Sequence, residues 1–170
     1  MYTAKTLIDL LDLQPLPGEG GFYRQTWVAS DELAAAALPA RYGRAKPAGT
    51  AIYYLVTDAP DGFSAMHRLP TDEIFHFYLG DPVEQLLLHQ DGRTERVVLG
   101  QDLRAGQRVQ HTAPAGCWQG TRLLPGGRVA LLGTTMAPGF DAQDFEPGTR
   151  ADLSTAFPDA AELIAALTRA

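Results

Sequence analysis

From Gly49 to Met136 short apolar or alternating runs recur at 49–57, 63–67, 72–79, 83–89, 93–99, 107–113, 117–124 and 128–136. Turn-forming residues separate them: Asp58 to Gly62, Leu69 to Thr71, Gly80 to Pro82, Asp91-Gly92, Leu103 to Gly106, Pro114 to Gly116 and Pro125 to Gly127. Each run has strand length and no gap holds a helical period, so the pattern predicts a sandwich, jelly roll or barrel rather than a βαβ fold. Asp91-Gly92, between His89 and Arg93, predicts a hairpin, because this dipeptide tolerates the positive φ of a type I′ turn. Phe22 to Val28, dense in aromatic and β-branched residues, predicts one further strand.

Helical spacing is confined to the two ends. Leu7, Ile8, Leu10, Leu11 and Leu13 predict a helix over about 3–13, with Thr3 as its N-cap and Pro15 and Pro17 beyond its end. Ala160 to Leu167 predicts a one-sided helix entered through Phe157-Pro158-Asp159. Pro17 to Gly21 is too rich in glycine and proline for regular structure. Residues 31–47 hold an alanine run, Ala34 to Ala37, then Pro39, Arg41, Arg44 and Lys46; they predict a short helix and a mobile surface loop. With no internal repeat and no long linker, residues 1–170 are expected to form a single all-β domain with a short helix at each end.

Composition narrows the class. A chain of 170 residues buries roughly 70% of its unfolded surface and folds without staples. Fourteen basic against twenty acidic side chains give a net charge of −6, which disfavours nucleic acid and anionic membranes as partners. Cys117 is the single cysteine, so an internal disulfide framework and a thiolate-only metal cage are excluded. No apolar run approaches the ~20 residues that span a bilayer, and acidic residues stand where a signal peptide would be apolar. A cytoplasmic protein is expected.

The stretch from Gly62 to Gly80 carries His67, Glu73 and His76, and the stretch from Gly106 ends in Pro114-Ala-Gly116-Cys-Trp-Gln119. Together they resemble the paired motifs of the cupin superfamily. The first motif has two histidines one residue apart, a glutamate, six residues and a glycine; the second has Pro-x-Gly and, three residues on, a histidine. His67, Glu73 and Gly80 match, whereas Leu69 stands in the second histidine's place and Gln119 in the third's. Pro17 to Arg24, Asp72 to Pro82, Pro114 to Gln119 and Ala137 to Glu146 are similar to the DUF985 (Cupin_5) family over about residues 5–147. The resemblance implies a cupin jelly-roll barrel, or double-stranded β-helix, spanning about 22–136 between an N-terminal helix and a C-terminal arm and helix over 137–170. It further implies a homodimer and a small-molecule pocket inside the barrel.

Two chemistries follow. Cupins usually hold a divalent transition metal on three histidines and a glutamate; the matching set here, His67, Glu73 and Gln119 with Leu69, has lost one ligand to a hydrocarbon and another to a neutral amide. His76 cannot replace them on an unbroken strand, where Glu73, Phe75 and Phe77 face inward and His76 outward, unless a β-bulge intervenes. Cys117 shares parity with Gln119 and could offer a thiolate, although a lone cysteine is more often an inert core residue. The metal-free alternative takes His67 and Glu73 as an acid–base pair and Gln119 as an amide that orients a ligand. Phe75, Phe77 and an aromatic from the first strands, Tyr23 or Tyr54, would form the walls. The resemblance extends, in architecture and His67 alone, to the metal-free cupin epimerases of nucleotide-linked keto-deoxy sugars. A sugar or keto compound handled by an isomerase-like proton transfer is one expectation; a non-catalytic binding cupin is the other. Trp118, of opposite parity to Gln119, is expected to pack between sheet and helix. His89 and His111 are expected at solvent edges, Asp141, Asp144 and Glu146 in a solvated loop, and Arg41, Arg44 and Lys46 form too small a group for a nucleic-acid footprint.

Overall fold

The computed structural model describes residues 2–169. Thr3 caps helix α1 (Ala4–Leu11), its side chain accepting from the Thr6 N–H, and Asp12 ends the helix in the left-handed region at φ 51°. The chain continues through β1 (Gln14–Pro15), β2 (Phe22–Val28), β3 (Glu32–Leu33), β4 (Lys46–Pro47), β5 (Thr50–Thr57), β6 (Ser64–Arg68), β7 (Glu73–Gly80), β8 (Val83–Leu88), β9 (Thr94–Leu99), β10 (Gln110–Ala113), β11 (Trp118–Leu123), β12 (Val129–Met136) and β13 (Glu146–Pro147). Helices α2 (Arg150–Ala156) and α3 (Ala161–Ala166) close it. Every run expected between 49 and 136 yields a strand.

Two antiparallel sheets face each other, in the orders β1-β2-β5-β12-β7-β10 and β13-β6-β11-β8-β9. Chain neighbours repeatedly fall in opposite sheets, which is the crossing pattern of a jelly roll. Tyr54, Phe75, Phe77, Leu87, Val97 and Leu132 meet between the sheets. Helix α1 covers the outside of the first sheet through Leu7 against Leu55 and Leu131. Helices α2 and α3 cover the outside of the second, setting Leu153, Leu163 and Ile164 on Met66, Leu86 and Leu88. With both of its faces covered, β8 is buried at all its positions, and its sequence reads as a largely apolar run for that reason.

Three local expectations are corrected, and one helix is added. The Asp91-Gly92 hairpin is no two-residue type I′ turn: the His89 N–H donates to the Arg93 carbonyl across three loop residues, and Gly92 alone takes positive φ, 87°. A third loop residue lets glycine carry the left-handed position while Asp91 keeps an ordinary backbone. Residues 31–47 form the β3–β4 pair and single turns of 3₁₀ helix, Ala35–Ala37 and Ala40–Tyr42, because Pro39 and Pro47 interrupt any longer helix. Lys46 in this segment is fully buried, paired with Asp141 and Asp144; the acidic loop is therefore an ion-paired one rather than a solvated one. Helix α2, capped by Thr149 accepting from the Asp152 N–H, adds to the expected elements. No helix of the described residues is long and apolar enough to cross a membrane.

Candidate functional site

The two sheets converge on one carboxylate. Glu73 opens β7 in the first sheet, while His67 on β6 and Gln119 on β11 stand directly opposite each other in the second. Gln119 Nε2 donates to Glu73 Oε2 at 2.7 Å, and Gln85 Nε2 donates to Gln119 Oε1 at 3.4 Å. His67 Nε2 lies 4.0 Å from the same Glu73 oxygen, and its Nδ1 lies 2.8 Å from the Ala65 carbonyl. That carbonyl can only accept, so Nδ1 carries a proton and the neutral ring would present its Nε2 lone pair to Glu73. Phe145 stacks on the imidazole, with ring centroids 5.1 Å apart. The three residues that the cupin register paired do meet.

A cavity of about 340 Å³ opens beside them between the sheets. Tyr23, Ile52, Tyr54, Leu69, Phe75 and Met136 form much of its apolar wall below the roof, and Glu19, Glu73, Gln25, Thr50 and Thr134 supply its polar groups. Glu73 faces this space, but His67 and Gln119, expected to line the same cavity, are not part of its wall: the barrel register brings them to Glu73 without turning them into the cavity. Burial pushes the Glu73 carboxyl above the usual carboxylate range, the Glu19 carboxylate adds to the rise, and His67, Thr134 and Gln119 oppose it. The Tyr54 phenol, which donates to the Gly20 carbonyl at 2.9 Å, is raised well above its ordinary value by burial and then by Glu19.

Phe77 and Cys117, also expected at the pocket, lie elsewhere. Phe77 packs deeper in the core with Val83, Leu87 and Leu99, and so does Cys117. The Cys117 Sγ donates to the Leu88 carbonyl at 3.2 Å, and burial raises its thiol to about 11, which leaves it an inert core group. His76 faces outward as strand parity requires: its Nε2 meets Thr135 Oγ1 at 3.0 Å and its ring stacks on Tyr78. The bulge in β7 falls between Phe77 and Leu79, past His76. Trp118 packs against the α2–α3 layer with Arg68 over its ring. His89 and His111 are not bare solvent-edge groups: His89 Nε2 meets Glu95 Oε2 at 3.1 Å, and Arg108 lies 3.0 Å from His111 Nδ1.

Glu19 and the cavity roof lie outside the expected set of site residues. The loop carrying Glu19 is laced to β6: the Ala65 N–H donates to the Glu19 carbonyl, and Ser64 Oγ donates to Glu19 Oε1 at 2.7 Å. Gly20, at φ 107°, makes this possible, since a Cβ there would collide with the Phe63 carbonyl oxygen. The roof is the segment Phe140–Phe145, which brings Phe140, Ala142 and Phe145 over the cavity. Lys46 Nζ ties it down at 2.5 Å from Asp144 Oδ2 and 3.2 Å from Asp141 Oδ2. Arg44 reaches the same two carboxylates at 3.3 and 3.2 Å.

The donor set does not fit the metal that cupins usually carry. Glu73 Oε2 is already taken by an amide N–H, and Leu69 sets hydrocarbon in the wall at the place of a second imidazole. Among the described residues no three His, Cys, Asp or Glu side chains are grouped to hold a metal ion.

Comparison with known proteins agrees with this architecture. A hypothetical protein from Leishmania major superposes with a TM-score of 0.88 at 28% identity, over 99% of this chain and 100% of that one. A protein from Shewanella oneidensis superposes with a TM-score of 0.85 at 30% identity, over 99% of each chain. An uncharacterized protein of Saccharomyces cerevisiae is 29% identical over 98 residues, 56% of this chain and 48% of the yeast protein, so the match spans about half of that relative's length. The family model described as Cupin superfamily (DUF985) matches residues 5–147, and the chain belongs to that family, Cupin_5.

Proposed function

We propose that this cupin binds a compact small molecule in the barrel cavity and moves a proton on it without a metal, with Glu73 as the group that meets the ligand. The observation that carries the reading is a buried carboxyl in the wall of a cavity between the sheets, its affinity for a proton raised by burial. A general acid–base works best when its pKa lies near the working pH, and burial moves a carboxyl in that direction. Deprotonated, Glu73 can take a proton from carbon beside a carbonyl; protonated, it can return one to a neighbouring atom, which is the course of an isomerase. His67 acts through Glu73 as a positioning residue whose imidazolium form favours the carboxylate, and Gln119 fixes the direction in which the carboxylate points. A keto compound of modest size suits a cavity at the small end of the ~300–1,000 Å³ range of ligand pockets. The homodimer implied by the family resemblance belongs to the same reading, and a monomeric mass in sedimentation would remove it.

Proton transfer is tested by solvent exchange. Keto and hydroxy metabolites are incubated with the protein in D₂O, and deuterium incorporation at carbon is followed by NMR. Exchange with at least one compound is expected, lost in Glu73→Gln with the fold intact and displaced along the pH axis in His67→Asn. Exchange that survives in Glu73→Gln would overturn the assignment. Binding without turnover is the second reading, favoured by the Gln85–Gln119–Glu73 chain of hydrogen bonds; a ligand that binds and never exchanges would establish it.

A further inference from the structure

The charged side chains in the cavity wall are all acids. Among the described residues that line it, Glu19 and Glu73 carry carboxylates, and none carries an ammonium, guanidinium or imidazole. The cations of the neighbouring segments are engaged outside the cavity. Lys46 and Arg44 hold Asp141 and Asp144 behind the roof. Arg169 binds the backbone carbonyls of Gly18 and Glu19 and the Asp61 carboxylate.

Beside these acids the wall is aromatic, with Tyr23, Phe75, Phe140 and Phe145 on it. Ring faces carry negative potential and attract cations, the more so when the cation is desolvated. An anionic ligand would meet two carboxylates beside a largely apolar wall, where like charges repel more strongly than in bulk solvent. A cationic ligand would meet opposite charge and aromatic side chains together.

We infer that the cavity selects a small organic cation, an amine with a compact apolar body, whose ammonium faces the Glu19 and Glu73 carboxylates and whose body lies against the aromatic wall. The inference rests on the cavity-binding part of the proposed function and narrows its ligand class. It sets phosphorylated and carboxylated metabolites aside. Glu19 is on this account the charge-selecting residue, and Glu73 keeps its part in proton transfer.

Benzylamine, benzyl alcohol and benzoate have nearly one shape and three charges, and titration calorimetry at neutral pH and low salt reads the charge preference. Benzylamine is expected to bind at least about tenfold more tightly than benzyl alcohol, with benzoate the weakest. In Glu19→Gln the gap between amine and alcohol should close. If that variant fails to fold, added salt supplies the second measurement on the unaltered protein, because it should weaken the amine and leave the alcohol unchanged. An amine no tighter than the alcohol, or benzoate as tight as either, would overturn the cation preference while leaving the cavity reading standing. No binding by any of the three would overturn both.

Discussion

Gln119 and Glu73 join the two sheets through one hydrogen bond, Nε2 to Oε2 at 2.7 Å. The amide occupies the place where the cupin pattern has a histidine, and it changes what the carboxylate can do. A histidine there would bring a donor for a metal; the amide instead gives an N–H to one oxygen of Glu73 and is itself a poor metal ligand. The bond favours the charged carboxylate, while burial and Glu19 favour the neutral acid and prevail, so the carboxyl lies above the usual carboxylate range.

Gln119→Leu removes the donor and leaves a buried carboxylate short of a partner. A hydrogen bond to a charged group contributes about 1.5–3 kcal/mol, so urea unfolding at neutral pH is expected to show a loss of that order. The deficit should shrink in acid, where Glu73 is protonated and no longer a buried charge. An equal deficit at both pH values would mean that the loss is one of packing.

Glu73→Gln gives the opposite sign. The unfolded chain titrates this carboxyl at the ordinary glutamate value, and the folded protein titrates it higher. Between those values the folded state keeps a proton that the unfolded state has released, so stability is fully present below the unfolded value and is lost as pH rises through the folded one. The substituted amide can still accept from Gln119 and carries no charge. The variant should therefore be more stable than the parent at alkaline pH, with the advantage fading as pH falls toward the ordinary glutamate value. Melting temperatures across that window check the sign, and a variant that is less stable at alkaline pH would contradict the raised titration.

Lys46 has no exposed surface, and its ammonium is compensated by Asp141 and Asp144. Lys46→Met leaves Asp144, itself nearly buried, with Arg44 as its remaining partner in the ion-pair cluster, and breaking a buried pair costs about 3–5 kcal/mol. Arg44 is partly solvated, so Arg44→Met should cost about 1 kcal/mol or less. The roof segment Phe140–Phe145 should exchange its amides faster in Lys46→Met than in Arg44→Met. Equal exchange in the two variants would show that the roof is held by its phenylalanines instead.

The barrel is legible in the sequence because its strands are short apolar or alternating runs bounded by turn residues. Runs such as Thr50–Thr57 and Val129–Met136 need no tertiary knowledge to be read as strands. Glu73 is legible for a different reason: a carboxylate beside Ile74-Phe-His-Phe-Tyr-Leu is too costly without a cavity or a partner. Glu19 is hidden in a loop, and its only sign is the Gly20-Gly21 pair that lets the backbone pass close to Phe63 and Leu55. Lys46 resembles a surface residue in sequence because its partners lie about a hundred residues away, and no local pattern reports such a distance. Phe77 and Cys117 share the inward parity of wall residues, yet parity names a face and not a depth.

Metal content tests the identity of the site from its ligands. His67 and Glu73 are two donors on facing sheets, and Leu69 lies in the cavity wall two residues beyond His67. Replacing Leu69 by histidine adds a second imidazole, and Gln119→His adds a third while freeing the Glu73 oxygen. Three imidazoles and a carboxylate suit Mn, Fe, Ni or Zn, whereas a single imidazole with an amide-bound carboxylate does not. The unaltered protein is expected to hold well under one equivalent of any of these metals by elemental analysis, and the Leu69→His, Gln119→His double variant to hold close to one. Stoichiometric metal in the unaltered protein, lost on His67→Ala, would show that the hydrogen bond from Gln119 yields to a metal and would remove the metal-free proton transfer proposed for Glu73.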